Sequence, residues 1–401
     1  MGKNRGVVMK RKIVVITILL IVTRLVLINP VKIKDSEVEK MPKQVKNTNM
    51  LTMMLETEAG TGSYEEVTQS EWPQDGYVFN ASLSRCENGG TLSWDDNAKK
   101  IILNTDVSDK CYVYFDIYNE PTFAEYIINN VYTEDGVNGL YYHDGVGTYT
   151  NSSEEAGDNS YRYSGANPNN YVCFGSDVTT CPNDNLYRII GLFDDDKDGT
   201  YNVKLIKNSS YGEYVWDEDY DTTWNATTKP DIYTTLNETY YNTLSDKWQN
   251  LIDQNHIWKI GRIREGFSGS SAYSDIVKVK EFYNEEIGIN RNGYEETMHV
   301  GLMYASDYGY GASPVNWTTI LGRYGNDTNR NNNWMYLNIF EWTICHNVYT
   351  DDWVFQINSK GAVNLISIYD SKSNATRPSF YLKPEVILAG GTGTLSDPYR
   401  I

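Results

Sequence analysis

Residues 13–28 constrain this chain more than any other stretch. Lys10, Arg11 and Lys12 run directly into an apolar segment from Ile13 to Ile28, broken by Thr17, Thr23 and Arg24. Its sixteen residues would span ~24 Å as a helix, somewhat less than the ~30 Å hydrocarbon core of a bilayer. Lys3, Arg5 and Lys10–Lys12 form the basic flank expected on the cytoplasmic side. Arg24 lies near the far end, where its stem can snorkel to the headgroups. A cleaved signal peptide and a buried core helix are the alternatives to an uncleaved anchor. Ile28-Asn29-Pro30 offers no small-residue cleavage site, which favours the anchor. The sequence thus predicts a single-pass membrane protein with its C-terminal part outside the cell, or a secreted one if the segment is cleaved.

After Pro30 the chain turns polar, acidic and rich in tyrosine. Its net charge is −18, and residues 1–12 carry bases and no acid, so the remainder is more acidic still. Nucleic-acid binding calls for the opposite sign, because Lys and Arg make the phosphate contacts. Residues 30–68 are charged and poor in aromatics, a composition that reads as a disordered stalk. Residues 69–120 hold short apolar β-like runs separated by Gly89-Gly90 and Asp95-Asp96-Asn97, which predicts a small β-sandwich-like domain. Pro121 then opens an amphipathic helix over 123–131, and a second helical patch covers 233–252. Strand-like runs recur at 186–193, 201–206, 276–279, 299–304, 353–357 and 363–368. The fold class is therefore α+β and loop-rich, with much antiparallel sheet, in a head domain over 121–401 preceded by the 1–29 anchor, the stalk and the small β domain.

Five cysteines outside the cytosol suggest two bridges and one thiol. Sequential pairing joins Cys86 to Cys111 and Cys173 to Cys181, although four cysteines allow three connectivities. Cys345 lies in an apolar alternation and is expected to be a buried strand thiol rather than a nucleophile. No C-x-x-C zinc pattern, G-x-S-x-G, H-E-x-x-H or phosphate-binding loop occurs.

Several stretches resemble an uncharacterised family of surface-exposed proteins from Gram-positive gut bacteria. They are Tyr161–Asn170, Leu186–Leu192, Gly301–Tyr310, Glu341–Thr343 and Arg377–Leu382. The order of a strand pair, a Leu236-Asn237-x-x-Tyr240-Tyr241 helix, aromatic loops and a final Arg-Pro strand is also similar to the C-type-lectin-like fold of the formylglycine-generating enzymes. That resemblance implies a C-type-lectin-like head. The W-N-D and E-P-N signatures of calcium-dependent lectins and the paired cysteines of the generating enzymes are absent.

Two candidate sites emerge. Asp194, Asp196 and Asp198 occupy positions 1, 3 and 5 of a calcium-type loop with Gly199 at position 6, and Asn202 is a further ligand. Leu205 stands where an EF-hand needs Glu, and a solvated acidic turn is the alternative. Trp317, Tyr324, Trp334 and Tyr336 lie among asparagines and glycines, a mixture suited to stacking on sugar rings. Filling the core of a loop-rich domain is their other reading. The expectation is a non-enzymatic, anchored surface protein whose head binds a glycan or a protein of a host or neighbouring cell, calcium being the candidate cofactor. A pilus-like assembly subunit is the alternative, and a glycan-processing or formylglycine-generating enzyme a third class.

Overall fold

The computed structural model describes residues 49–67, 76–132, 138–146, 152–219, 224, 227–263, 277–288, 293–347, 352–370 and 373–401. The anchor expected over 1–29 and residues 30–48 of the expected stalk lie outside them. Among the described residues no helix is long and apolar enough to cross a membrane. The chain divides into two compact units between Glu120 and Pro121.

The first unit contains β1 (Met50–Glu56), β2 (Tyr64–Val67), β3 (Tyr77–Cys86), β4 (Thr91–Asp95), β5 (Lys100–Asn104) and β6 (Lys110–Ile117). Four strands form a sheet in the order β2-β1-β6-β3, and β4 and β5 pair separately. The segment expected to be stalk is therefore strand from Met50. β1 runs parallel to β6, 60 residues downstream at the Met50–Lys110 pair, and Met53 is buried beside Val113 and Phe115. A parallel partner so distant leaves no trace in local composition. Trp94 of the β4–β5 hairpin meets Phe115 edge-on at 5.1 Å. Cys86 and Cys111 face each other across β3–β6 and form a disulfide.

The second unit begins with α1 (Phe123–Asn130), where Thr122 and Glu125 form a capping box and Phe123 and Ile127 are buried. There follow β7 (Leu140–Tyr142), β8 (Tyr161–Tyr163), β9 (Tyr171–Cys173), β10 (Leu186–Phe193), β11 (Asn202–Lys207) and β12 (Gly212–Tyr214). The second helical patch is broken. α2 (Asp231–Thr234) opens after Pro230, widens into a π-helical turn over Thr235–Tyr240, and ends where Leu244 turns extended; α3 (Asp246–Gln249) restarts behind Ser245. Leu236, Tyr240 and Trp248 still face inward. Next come β13 (Ile257–Ile263), α4 (Val279–Glu286), β14 (Gly293–Thr297) and α5 (Ala305–Gly311). Val279 thus opens a helix rather than closing a strand, and residues 299–304 make only an isolated bridge, Gly301 to Ser379. The unit closes with α6 (Asp327–Asn331), β15 (Glu341–Asn347), β16 (Trp353–Ile357), β17 (Val363–Ser367), β18 (Asn374–Thr376), β19 (Ser379–Tyr381) and β20 (Tyr399–Arg400).

This unit is α+β and mostly sheet. One sheet follows β19-β11-β10-β8-β7, with β9 and β20 attached; the other follows β12-β18-β15-β13-β14, with β16 and β17 attached. Most pairings are antiparallel. β10, β15 and most of β11 are buried on both faces. Gly191 sits at an irregularity in β10 because a Cβ there would lie 2.4 Å from the carbonyl oxygen of Tyr161. Gly261 of β13 likewise admits the backbone of Glu286, whose oxygen would stand 2.3 Å from a Cβ. The second disulfide, Cys173–Cys181, clips the end of β9 to the turn that follows.

Among its described residues the first unit gathers only Met53, Val113 and Phe115 into a buried apolar cluster, too little to hold a fold without a covalent staple. Its 25-residue disulfide separation predicts a chain-entropy stabilisation of roughly 3–4 kcal/mol. In a Cys86→Ser/Cys111→Ser variant, limited proteolysis should cut within 76–120 while 121–401 stays protected. Equal resistance of the first unit in variant and parent would contradict this reading.

Candidate functional site

The four aromatic residues expected to form a recognition surface belong to the core instead. Trp317 and Tyr324 have no exposure and Trp334 is 5 % exposed. Each spends its polar group on backbone: Trp317 donates to Ala312 O, Tyr324 to Gly309 O and Asn316 O, and Trp334 to Tyr163 O. Tyr336 is half-buried and donates to Ser359 O. The neighbouring asparagines serve turns, as Asn333 does by donating to Tyr308 O. The bland reading wins here because a loop-rich interior needs both large rings and side chains that satisfy backbone groups.

A different set of rings is accessible. Tyr142 ends β7, Tyr161 opens β8, Tyr201 precedes β11 and Tyr132 follows α1; all four are half-buried. Tyr142 and Tyr161, paired across β7–β8, stack at 4.5 Å between centroids. Tyr132 meets Tyr161 edge-on at 5.3 Å, and Tyr201 meets it edge-on as well at 5.6 Å. Asn159, exposed and at φ 61°, holds two of these rings: Tyr142 OH donates to its Oδ1 at 3.1 Å and Tyr201 OH to its carbonyl at 3.2 Å. The left-handed φ suits Asn better than most side chains. Burial raises the Tyr142, Tyr161 and Tyr201 hydroxyl pKa values, that of Tyr201 to about 12, so the rings stay neutral in any physiological medium. Local sequence could not reveal this cluster, since its members come from four segments and each looks like an ordinary strand or loop tyrosine.

The acidic hairpin turn between β10 and β11 lies beside Tyr201. One carboxylate oxygen from each of Asp194, Asp196 and Asp198 falls within 4.8 Å of the others. Both Asp194 oxygens accept turn amides, from Asp198 and Gly199 at 3.1 Å each, and Asp198 accepts from Thr200 N. Asn202 is drawn away, its amide donating to Leu382 O at 2.8 Å. The three acids thus come together as the sequence suggested, in a turn that already uses part of their acceptor capacity, and Asn202 serves the sheet. Asp195 points the other way, to within 3.5 Å of His256 Nε2, whose ring lies flat on Tyr381 at 3.6 Å.

Beneath the tyrosines runs a chain of buried charge. Arg162, next to Tyr161, donates to Asp158 at 2.7 Å and to Asp307 of α5 at 3.3 Å. Lys204 of β11 reaches the other oxygen of Asp307 at 2.7 Å. Asp158 also takes Tyr283 OH at 2.9 Å; burial works against its ionisation, but Arg162 and Ser160 outweigh it and hold the carboxyl below its usual range. Elsewhere Arg377 grips Glu341 through two nitrogens and donates to Met335 O. Glu286 accepts the amides of Ala305 and Ser306 and the thiol of Cys345. Cys345 is fully buried on β15, as expected, and burial pushes its thiol well above the ordinary value, so it is not a thiolate at neutral pH.

No family model, no curated protein and no solved structure matches this chain.

The buried titratable groups set a pH dependence whose sign can be worked out. Burial lowers the pKa of His143 well below 6.5 and that of His346 to about 3. Both stay neutral when folded but charge in the unfolded chain, so their contribution is present above pH 6.5 and lost as pH falls. Burial raises Glu286 from 4.5 to about 7; its contribution is present below pH 4.5 and lost as pH rises to 7. Burial raises Glu155 and Glu341 from 4.5 as well, and they act in the same direction as Glu286; Glu286 alone lowers the slope of stability against pH between 4.5 and 6.5 by roughly 1.4 kcal/mol per unit. Glu286→Gln should make that slope more positive by about the same amount in urea titrations. An unchanged slope would show that Glu286 is ionised in the folded protein.

Proposed function

We propose that this chain is a membrane-anchored, extracellular surface protein whose second unit is a C-type-lectin-like head that recognises a glycan without transforming it. The observation that carries this is the cluster of Tyr132, Tyr142, Tyr161 and Tyr201. Large half-buried rings, fixed by one asparagine and bordered by carboxylates, match what a sugar requires: C–H faces lie on the rings and hydroxyls find acceptors at the rim. Preorganised rings lose little entropy on binding.

Three further features support the reading. The two disulfides fit an oxidising compartment. The basic flank and apolar run of residues 3–28 supply the means of export and anchoring. Within the second unit the two chain ends come together, a closed plan compatible with such a head: Thr122 bridges Ile387, and Tyr399 packs edge-on against Phe123 at 5.3 Å. Arg188, sandwiched between the rings of Tyr171 and Trp334 at 4.2 and 4.5 Å, pins the same region.

The test is a glycan array probed with residues 30–401, with and without EDTA. Selective binding is expected, with affinity for the best glycan falling about tenfold in Tyr142→Ala or Tyr161→Ala. Tyr142→Phe, which keeps the ring, should retain most of it. Sensitivity to EDTA would assign a calcium to the Asp194–Asp198 turn. Binding that survives both alanine variants, or a blank array, would overturn the proposal.

A further inference from the structure

Lys204 and Asp307 meet in an environment unusual for an ion pair. The ammonium nitrogen lies 2.7 Å from Asp307 Oδ2, and neither side chain has any exposure. Four rings surround the nitrogen: Tyr304 at 4.0 Å, Trp258 and Tyr381 at 5.0 Å, and Phe193 at 5.8 Å. The aspartate is held from other directions as well, Arg162 donating to Oδ1 at 3.3 Å and the Tyr304 amide to Oδ2 at 3.0 Å. A third buried acid stands over the same turn of α5. Glu286 hangs on the amides of Ala305 and Ser306, the two residues before Asp307, at 2.8 and 3.0 Å. Burial depresses the Lys204 pKa and raises that of Glu286 to about 7, and Glu286 contributes to the field at Lys204. An amine and a carboxyl are thus held in contact in a site lined by rings.

We propose that Lys204 and Asp307 become joined by an intramolecular amide bond. In a dry site the ammonium–carboxylate pair converts to amine and acid by moving one proton, which removes two buried charges. The Nζ lone pair then attacks Cγ of Asp307. Arg162 faces Oδ1, where negative charge develops and which remains as the amide oxygen. Nζ passes the proton it loses to the protonated Oδ2, which departs as water. One N–C bond forms, one C–O bond breaks, and no oxidant or reductant is needed. Fixed contact gives the two groups an effective concentration far above any in solution, and the apolar walls favour loss of water over its return. The bond would tie β11 to α5 across 103 residues, whatever ligand the protein binds.

The experiment is intact-mass and peptide analysis of the purified full chain, denatured and with its disulfides reduced. The expected result is a mass lower by one water, with trypsin failing to cut after Lys204 and the Lys204 and Asp307 peptides recovered as one linked species. Lys204→Arg should restore the full mass. Separate Lys204 and Asp307 peptides in the parent protein would overturn the proposal, leaving an ion pair. So would a water loss located at an Asp–Gly pair such as Asp198–Gly199, where a succinimide forms.

Discussion

The carboxylate of Asp307 is the point on which the second unit turns. It is fully buried and receives Arg162 from β8, Lys204 from β11 and the Tyr304 amide at the start of its own helix. A carboxylate in that position is costly to desolvate and becomes tolerable only when every lone pair has a donor. Removing Arg162 or Lys204 would strip this group of a partner, whether ionic or covalent, so the first sheet and α5 are held in one arrangement. Arg162 then carries the order outward: its neighbour Tyr161 is the centre of the accessible ring cluster, and its second partner Asp158 adjoins Asn159. The surface is precise because the charge below it is.

This arrangement also separates two uses of aromatic residues. Trp317, Tyr324 and Trp334 fill volume and donate their single protons to backbone oxygens, which leaves them nothing to offer a ligand. Tyr142 and Tyr201 spend their hydroxyl protons on Asn159 but keep part of each ring at the surface. Half-buried rings held by a polar tether distinguish a recognition surface from a core.

What the sequence made legible follows from range. The Cys86–Cys111 and Cys173–Cys181 bridges, the α1 capping box, the β10–β11 hairpin and the gathered acids of its turn all depend on residues close in sequence or on strong local patterns. Cys345 was readable as a buried thiol from its apolar neighbours. Illegible were the features made by distant partners. β1 was hidden because its mate is a parallel strand 60 residues away. Arg162 gave no sign of Asp307, 145 residues on. The dense aromatic and asparagine stretch over 317–336 looked like a surface because composition carries no information about which side of a loop faces inward. Asn202 met the spacing of a metal ligand, but pairing within β11 turned its amide to Leu382.

The most direct test of the account is saturation-transfer NMR on residues 30–401 with an array-selected oligosaccharide, irradiating the tyrosine ring protons. The account predicts strong transfer to protons on one face of the sugar, largely lost when Tyr161 is replaced by alanine in a variant with unchanged thermal stability. Transfer of equal strength in that variant would place the sugar elsewhere and contradict the claim that these tyrosines are the binding surface.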